Sequence, residues 1–147
     1  MDPALTLRRA TQADAPRLLA WRNDPATRAA SLVPTPVAPR DHAVWLTRTL
    51  NSKKRSLWIA EVADLPVGTT RLDISFTQQE LSWTIAPEAR GKGYGKAMVR
   101  AALEQITGPV RARIRPENKA SQAIARACGF SRVFVKGGVE TWLFRPG

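Results

Sequence analysis

At 147 residues, 44% hydrophobic and 24% charged, the chain is long enough to bury a real core and too apolar to stay disordered. Its 23 basic residues against 12 acidic ones leave a net charge of +11, which attracts polyanions and disfavours polycations such as free polyamines and aminoglycosides. A single cysteine, Cys128, excludes an internal disulfide, and one histidine beside it cannot complete a zinc site. No apolar run reaches the length of a membrane span, and Met1-Asp2-Pro3-Ala4 lacks the basic-then-apolar order of a signal peptide. The expectation is a cytoplasmic protein without a metal and without a membrane partner.

No repeat, low-complexity tract or linker interrupts the chain, so residues 1–147 are read as one domain. Ala4–Arg9 alternates Leu5 and Leu7 with Thr6 and Arg8, a short strand. Thr11 with Asp14 three residues on resembles a capping box, opening a helix through about Asn23 that Pro25 ends. Ser31–Pro39 carries three prolines and reads as an irregular loop. Arg40–Leu50 predicts a second helix, with His42, Trp45, Leu46 and Thr49 at helical spacing. Ser56–Val62 and Val67–Asp73 predict a hairpin turning at Ala63-Asp64-Leu65-Pro66. Glu80–Ile85 is a further strand, with Leu81, Trp83 and Ile85 on one face and Glu80, Ser82 and Thr84 on the other. A glycine-rich turn then leads into a helix from about Tyr94 to Ile106, which Gly108-Pro109 breaks. Arg111–Arg115 is a strand with Ala112 and Ile114 facing in, and Asn118–Cys128 a helix closed by Gly129. Phe130–Lys136 and Val139–Phe144 form a last hairpin through Gly137-Gly138. The order βααβββαβαββ predicts an α/β chain with a mixed sheet.

The turn between strand and helix, Arg90-Gly91-Lys92-Gly93-Tyr94-Gly95-Lys96, has the makings of an anion site. Glycines let the backbone approach a phosphate, and the first amides of the helix point outward with the dipole behind them. Two phosphate-binding patterns fail on spacing. A P-loop needs four residues between its first glycine and Gly-Lys, then Ser or Thr, whereas Gly91 to Gly95 leaves three and Ala97 follows Lys96. The dinucleotide fingerprint needs a glycine where Lys96 stands.

Arg90-x-x-Gly93-x-Gly95 resembles the Arg/Gln-x-x-Gly-x-Gly/Ala signature of the GNAT superfamily of acetyltransferases, and Asn118-x-x-Ser121 followed by Gly129-Phe130 resembles a second segment of the same superfamily. The resemblance implies acetyl-CoA as co-substrate and a primary-amine acceptor. It also implies an α/β (α+β) fold: a mixed, mostly antiparallel sheet of six to seven strands, flanked by about four helices and splayed between the strands at 80–85 and 111–115. The pantetheine arm would enter that opening along Trp83, Ile85 and Ala86. The pyrophosphate would lie on Arg90, Gly91, Lys92, Gly93, Tyr94, Gly95 and Lys96, with Asn118 and Ser121 nearby. The expected assembly is a monomer or homodimer.

Acetyl transfer needs a neutral amine, a polarised thioester carbonyl and a proton for the leaving thiolate. Many family members draw that proton from a tyrosine four residues before the Gly of Gly-Phe. Here that position is Ala125, and the only tyrosine is Tyr94. Resemblance to the branch that acetylates ribosomal-protein N-termini shifts the acid to Ser121, with Asn118 orienting the cofactor or a water; the plain alternative is a first-turn serine bonded to backbone. Glu80 is the expected base, or else a solvated carboxylate at a strand start. His42 has the intrinsic pKa of a base, or is one histidine on an amphipathic helix. Cys128 reads as a small core residue.

Trp21-Arg22-Asn23-Asp24-Pro25…Arg28, with His42 and Trp45, resembles the amino-terminal helices of two GNAT branches, one acting on nucleotide-linked amino sugars and one on ribosomal-protein N-termini. The resemblance makes Trp21, Arg22, His42 and Trp45 substrate-binding. Trp21 and Trp45 could stack on a sugar or base while Arg22, Arg28 and Arg40 meet a diphosphate; otherwise the tryptophans are core anchors. Arg111, Arg113 and Arg115 share one strand face and either extend the phosphate field or are simply solvated. A nucleotide sugar is the first acceptor reading and a protein N-terminus the second. A non-catalytic nucleic-acid-binding module is the alternative from another class, disfavoured because no helix-turn-helix or zinc spacing is present.

Overall fold

The computed structural model describes residues 4–147, so the reading of the first three residues lies outside it. In chain order it comprises β1 (Thr6–Arg9), α1 (Ala15–Asn23), α2 (Pro25–Ala30), α3 (Pro39–Asn51), β2 (Arg55–Val62), β3 (Leu65–Ile74), β4 (Gln79–Ile85), α4 (Tyr94–Glu104), β5 (Val110–Ile114), α5 (Lys119–Ala127), β6 (Ser131–Lys136) and β7 (Val139–Phe144). The strands form one seven-stranded sheet in the order β1-β2-β3-β4-β5-β7-β6. Every neighbouring pair is antiparallel except β4 and β5, which run parallel and share a single register pair, Glu80 with Arg111. Both residues lie near the starts of their strands, so the two strands part toward their carboxyl ends. The expected mixed sheet, opened between residues 80–85 and 111–115, is present.

Among the described residues the sheet is flanked by five α-helices, one more than the element order gave, because Pro25 both ends α1 and opens α2. Proline at a first helical position loses no intrahelical hydrogen bond, and Asp24 caps the new helix by accepting from Thr27 N at 3.0 Å. The first hairpin is tighter than its sequence suggested. Leu65 and Pro66 join β3, and Ala63 and Asp64 alone make the turn with φ of 51° and 64°. Such a two-residue turn matches the strand twist but normally selects Asn-Gly or Gly-Gly.

Alternation along β2 divides the core. Trp58 packs with Leu81, Val99 and Trp142 in a cluster that includes α4 and α5, whereas Leu57 and Ile59 pack with Leu18, Trp21 and Leu46 beneath α1 and α3. Buried polar groups fix helices to strands. Glu140, 3% exposed, accepts from Gln122 Nε2 at 2.9 Å, Trp142 Nε1 at 3.0 Å and Arg132 Nη1 at 3.0 Å, which ties α5 to the β6–β7 hairpin. Cys128 is a buried thiol at the carboxyl end of α5, and Gly129 follows it with φ of 94°.

Candidate functional site

The site begins where β4 gives way to α4. Ala86 N–H donates to Val67 O at 2.8 Å and closes the strand; a 3₁₀ turn at Pro87–Ala89 follows. Gly91 and Gly93 then take φ of 77° and 79°, in the left-handed region that favours glycine. Gly93 caps α4 without a side chain, so among the described residues no side-chain cap answers the first amides of that helix. A Cβ on Gly91 or Gly93 would meet no heavy atom within 4 Å, so the outer surface of the turn is open. Gly95 serves a different purpose: a Cβ there would stand 2.5 Å from Ile124 Cδ1. Its absence lets α5 press against α4 and brings Asn118 and Ser121 to the same opening.

That opening is a groove of about 870 Å³ between the parted ends of β4 and β5. Every residue assigned to the cofactor from sequence lines it except Ala86 and Lys92. Ala86 is fully buried with its N–H committed to the sheet, and Lys92 is exposed outside the groove. Asn118 caps α5, its Oδ1 accepting from Ser121 N at 3.1 Å. Among the described residues the Ser121 hydroxyl has no hydrogen-bond partner, and it faces the groove.

A second cavity, about 390 Å³, adjoins the first. The two share Arg22, Arg71, Ser82, Trp83 and Thr84, so they meet along β4. Trp21, Arg22, His42 and Trp45, the four residues assigned to substrate, all line this second cavity. The His42 and Trp45 rings lie 5.3 Å apart, and the Arg71 guanidinium sits 5.5 Å from the Trp45 ring. Burial, then the charge of Arg22, hold the His42 imidazole below its usual pKa. Arg22 Nη1 and Trp83 Nε1 are buried without a partner among the described residues.

Several arginines read as phosphate ligands hold the protein together instead. Arg115 donates to Ser31 O at 2.6 Å and Leu32 O at 2.9 Å, Arg22 to Val33 O at 2.7 Å, and Arg28 to Pro34 O at 3.0 Å. Four consecutive carbonyls of the loop after α2 are thus held by three guanidiniums. Arg40 is exposed and lines neither cavity. Arg111 and Arg113 are both spent on Glu80: Oε1 accepts from their Nε atoms at 2.8 and 2.9 Å, and Oε2 accepts from Arg113 Nη2 at 3.1 Å. Both oxygens of Glu80, expected from sequence to take an amine's proton, are thus paired with guanidiniums. Glu80 clamps the β4–β5 junction.

Sequence reasoning missed α2 as part of the site. Arg90 Nη2 donates to Asp24 Oδ2 at 2.9 Å and Thr27 Oγ1 at 2.8 Å, tying the glycine turn to the start of α2. Arg90, and then the Thr27 amide, hold the Asp24 carboxyl below the usual range. Asp24 followed by Pro25 was a readable start signal for a helix.

Residues 4–131 match the family described as Acetyltransferase (GNAT) domain. Mycothiol acetyltransferases from a Nocardioides species and from Acidothermus cellulolyticus are 29% identical over 111 residues and 34% identical over 92 residues. Those stretches cover 74% and 61% of this chain but only 32% and 28% of the two proteins, so the chain spans about a third of the length of these relatives. A spermidine N-acetyltransferase from Vibrio cholerae, solved in complex with CoA and spermine, superposes with a TM-score of 0.84 at 19% identity, over 96% of this chain and 95% of that one. At that identity the likeness is one of fold.

Proposed function

The chain belongs to the GNAT acetyltransferase family, and from that premise we propose that it transfers the acetyl group of acetyl-CoA to a primary amine. One observation carries the reading: a groove that opens on an uncapped helix N-terminus at one end meets, along β4, a separate cavity able to hold an amine. The turn fits a pyrophosphate, because Gly91 and Gly93 leave its outer surface open and Arg90 and Lys96 line the groove beside it. Acetyl-CoA, when bound, supplies the activated thioester. Ser121 carries a hydroxyl free to give a proton to the departing sulfur, and Asn118 positions it by capping α5. Glu80 acts by holding β4 to β5 at the base of the groove.

For the acceptor, the favoured reading is a nucleotide-linked amino sugar. Trp21 and Trp45 flank the cavity, which is of a size for a sugar ring with the nucleotide outside it. Arg22 and Arg71 outnumber Asp41 among its charged lining residues, which favours an anionic acceptor over a polycation. Arg22 and Arg28 are engaged by backbone, so the diphosphate would find fewer free guanidiniums than the sequence promised. A protein N-terminus is the second reading, favoured by the unpartnered Trp83 indole N–H, which the carbonyl beside an N-terminal amine would satisfy after a small side-chain shift.

The test has two parts. Acetyl-CoA at one hundred times its dissociation constant should stabilise the fold by about 2.7 kcal/mol. Gly93→Ala should fold at a cost of about 1–2 kcal/mol for its left-handed backbone and lose most of that stabilisation. Thiol release should then be followed with a nucleotide amino sugar, a short peptide with a free N-terminus, and spermidine. Absence of any acetyl-CoA shift in the unmodified protein would sink the acetyltransferase reading, and fastest turnover with spermidine would sink the acceptor reading.

A further inference from the structure

An amine is an ammonium near neutral pH and must lose a proton before it attacks a thioester. Among the residues lining the two cavities, three could accept that proton: Asp41, His42 and Glu80. Arginine and lysine are already protonated, and the Tyr94 phenol holds its proton at neutral pH. Glu80 has both oxygens committed to Arg111 and Arg113. Asp41 is exposed. His42 is 5% exposed, lines the acceptor cavity on the α3 side, and packs on Trp45. Among the described residues its ring nitrogens have no hydrogen-bond partner.

We propose that His42 is the general base that takes the proton from the acceptor amine, an assignment that rests on the acetyl-transfer reading above. The groups sharing the cavity agree with it. Arg22 from α1 and Arg71 from β3 present positive charge, Asp41 lies beside His42 on α3, and β4 contributes only Ser82, Trp83 and Thr84. Burial, followed by Arg22, keeps the imidazole in its neutral, proton-accepting form at pH 7. The protons balance. One of the three ammonium protons passes to His42 and on to solvent before the amine attacks; the C–N bond then forms and the C–S bond breaks. A second reaches the departing sulfur by way of Ser121, and the third stays on the amide.

His42 is the only histidine in the chain, so its imidazole Cε1–H resonance is unambiguous in the full-length protein. Titration followed by NMR should give a pKa below about 6.5. The pH profile of kcat/KM, measured with a nucleotide amino sugar and with a short free-N-terminus peptide, should rise through that same pH. The amine's own ionisation gives a separate limb, near 8 for the peptide. His42→Gln should lose the lower limb and about a hundredfold in kcat while keeping the acetyl-CoA thermal shift. The comparison of NMR titration with the pH profile needs no variant and stands even if His42→Gln folds poorly. A resonance titrating at or above 6.5, or a lower limb that survives in His42→Gln, overturns the assignment and leaves the acetyl-transfer reading intact. An unmodified protein that neither binds acetyl-CoA nor releases thiol removes both.

Discussion

Asp14 is a single carboxylate on which three basic or donor groups converge. It is 1% exposed, accepts from Arg8 at 2.8 and 2.9 Å and from Thr11 N at 2.8 Å, and pairs with Arg17. The Arg8 hydrogen bonds outweigh the opposing effect of burial and lower its pKa to about 2. Because the folded value lies below the unfolded one, this stability is complete above about pH 4 and drains away as the pH falls toward 2. Asp14→Asn should cost about 2 kcal/mol at pH 7 and flatten the acid limb of the melting temperature; an unchanged limb would mean another carboxylate governs it. Ala63-Asp64 is the opposite case, a strained pair in the same turn geometry that Gly137-Gly138 adopts easily. Replacing it with Asn-Gly should add about 1 kcal/mol, seen as a rise in melting temperature of roughly 2–4 °C. At this scale the sequence was legible where local spacing decides, as in the Thr11–Asp14 box and Gly129. The Ala-Asp turn was placed but not its length, because alanine does not advertise the positive φ that both residues adopt.

At the scale of elements, strands and long helices could be read from periodicity, while α2 could not: six residues with no buried side chain leave no apolar face to see. Local groups cap α2 and hold Val33 O and Pro34 O, but part of what holds the following loop is remote in sequence. Arg115 reaches back more than eighty residues to Ser31 O and Leu32 O. Arg115→Ala should therefore leave the global fold intact, speed amide exchange in residues 31–33, and weaken acetyl-CoA, since that loop walls the groove. Protection unchanged in that segment would show that Arg22 and Arg28 suffice. The row Arg111, Arg113 and Arg115 looked like a phosphate field because charge pattern records sign and spacing but not partners. Glu80→Gln separates its two readings. As a clamp, it should lower stability by about 1–2 kcal/mol with turnover largely kept; collapse of turnover in a protein of normal stability would restore Glu80 as the base.

Over the whole molecule, the net charge of +11 acts on the approach of ligands more than on their final contacts. The end of the groove at the glycine turn gathers Arg90 and Lys96, with Lys92 exposed just beyond. Charge and glycine spacing mark this end in the sequence itself, whereas the adjoining cavity, whose α1 and α3 residues Trp21, Arg22, His42 and Trp45 were picked out by resemblance, takes its shape from β3 and β4 as well, which no local pattern states. A polyanionic co-substrate should be drawn in from beyond contact distance while salt is low. The screening length shrinks from about 10 Å at 0.1 M to about 3 Å at 1 M. The Arg90–Asp24 bridge is partly exposed and weakens under the same conditions, yet the backbone amides of the turn do not depend on ionic strength. Acetyl-CoA association measured by stopped flow should therefore slow steeply across that range, with dissociation changing far less. Equal changes in both rates would place the salt effect in the bound contacts instead. A short DNA duplex provides the control for the non-catalytic alternative. If the duplex binds with a steeper salt slope and acetyl-CoA fails to compete, the positive surface serves nucleic acid; if it binds weakly and acetyl-CoA association alone shows the steep dependence, the charge serves the groove.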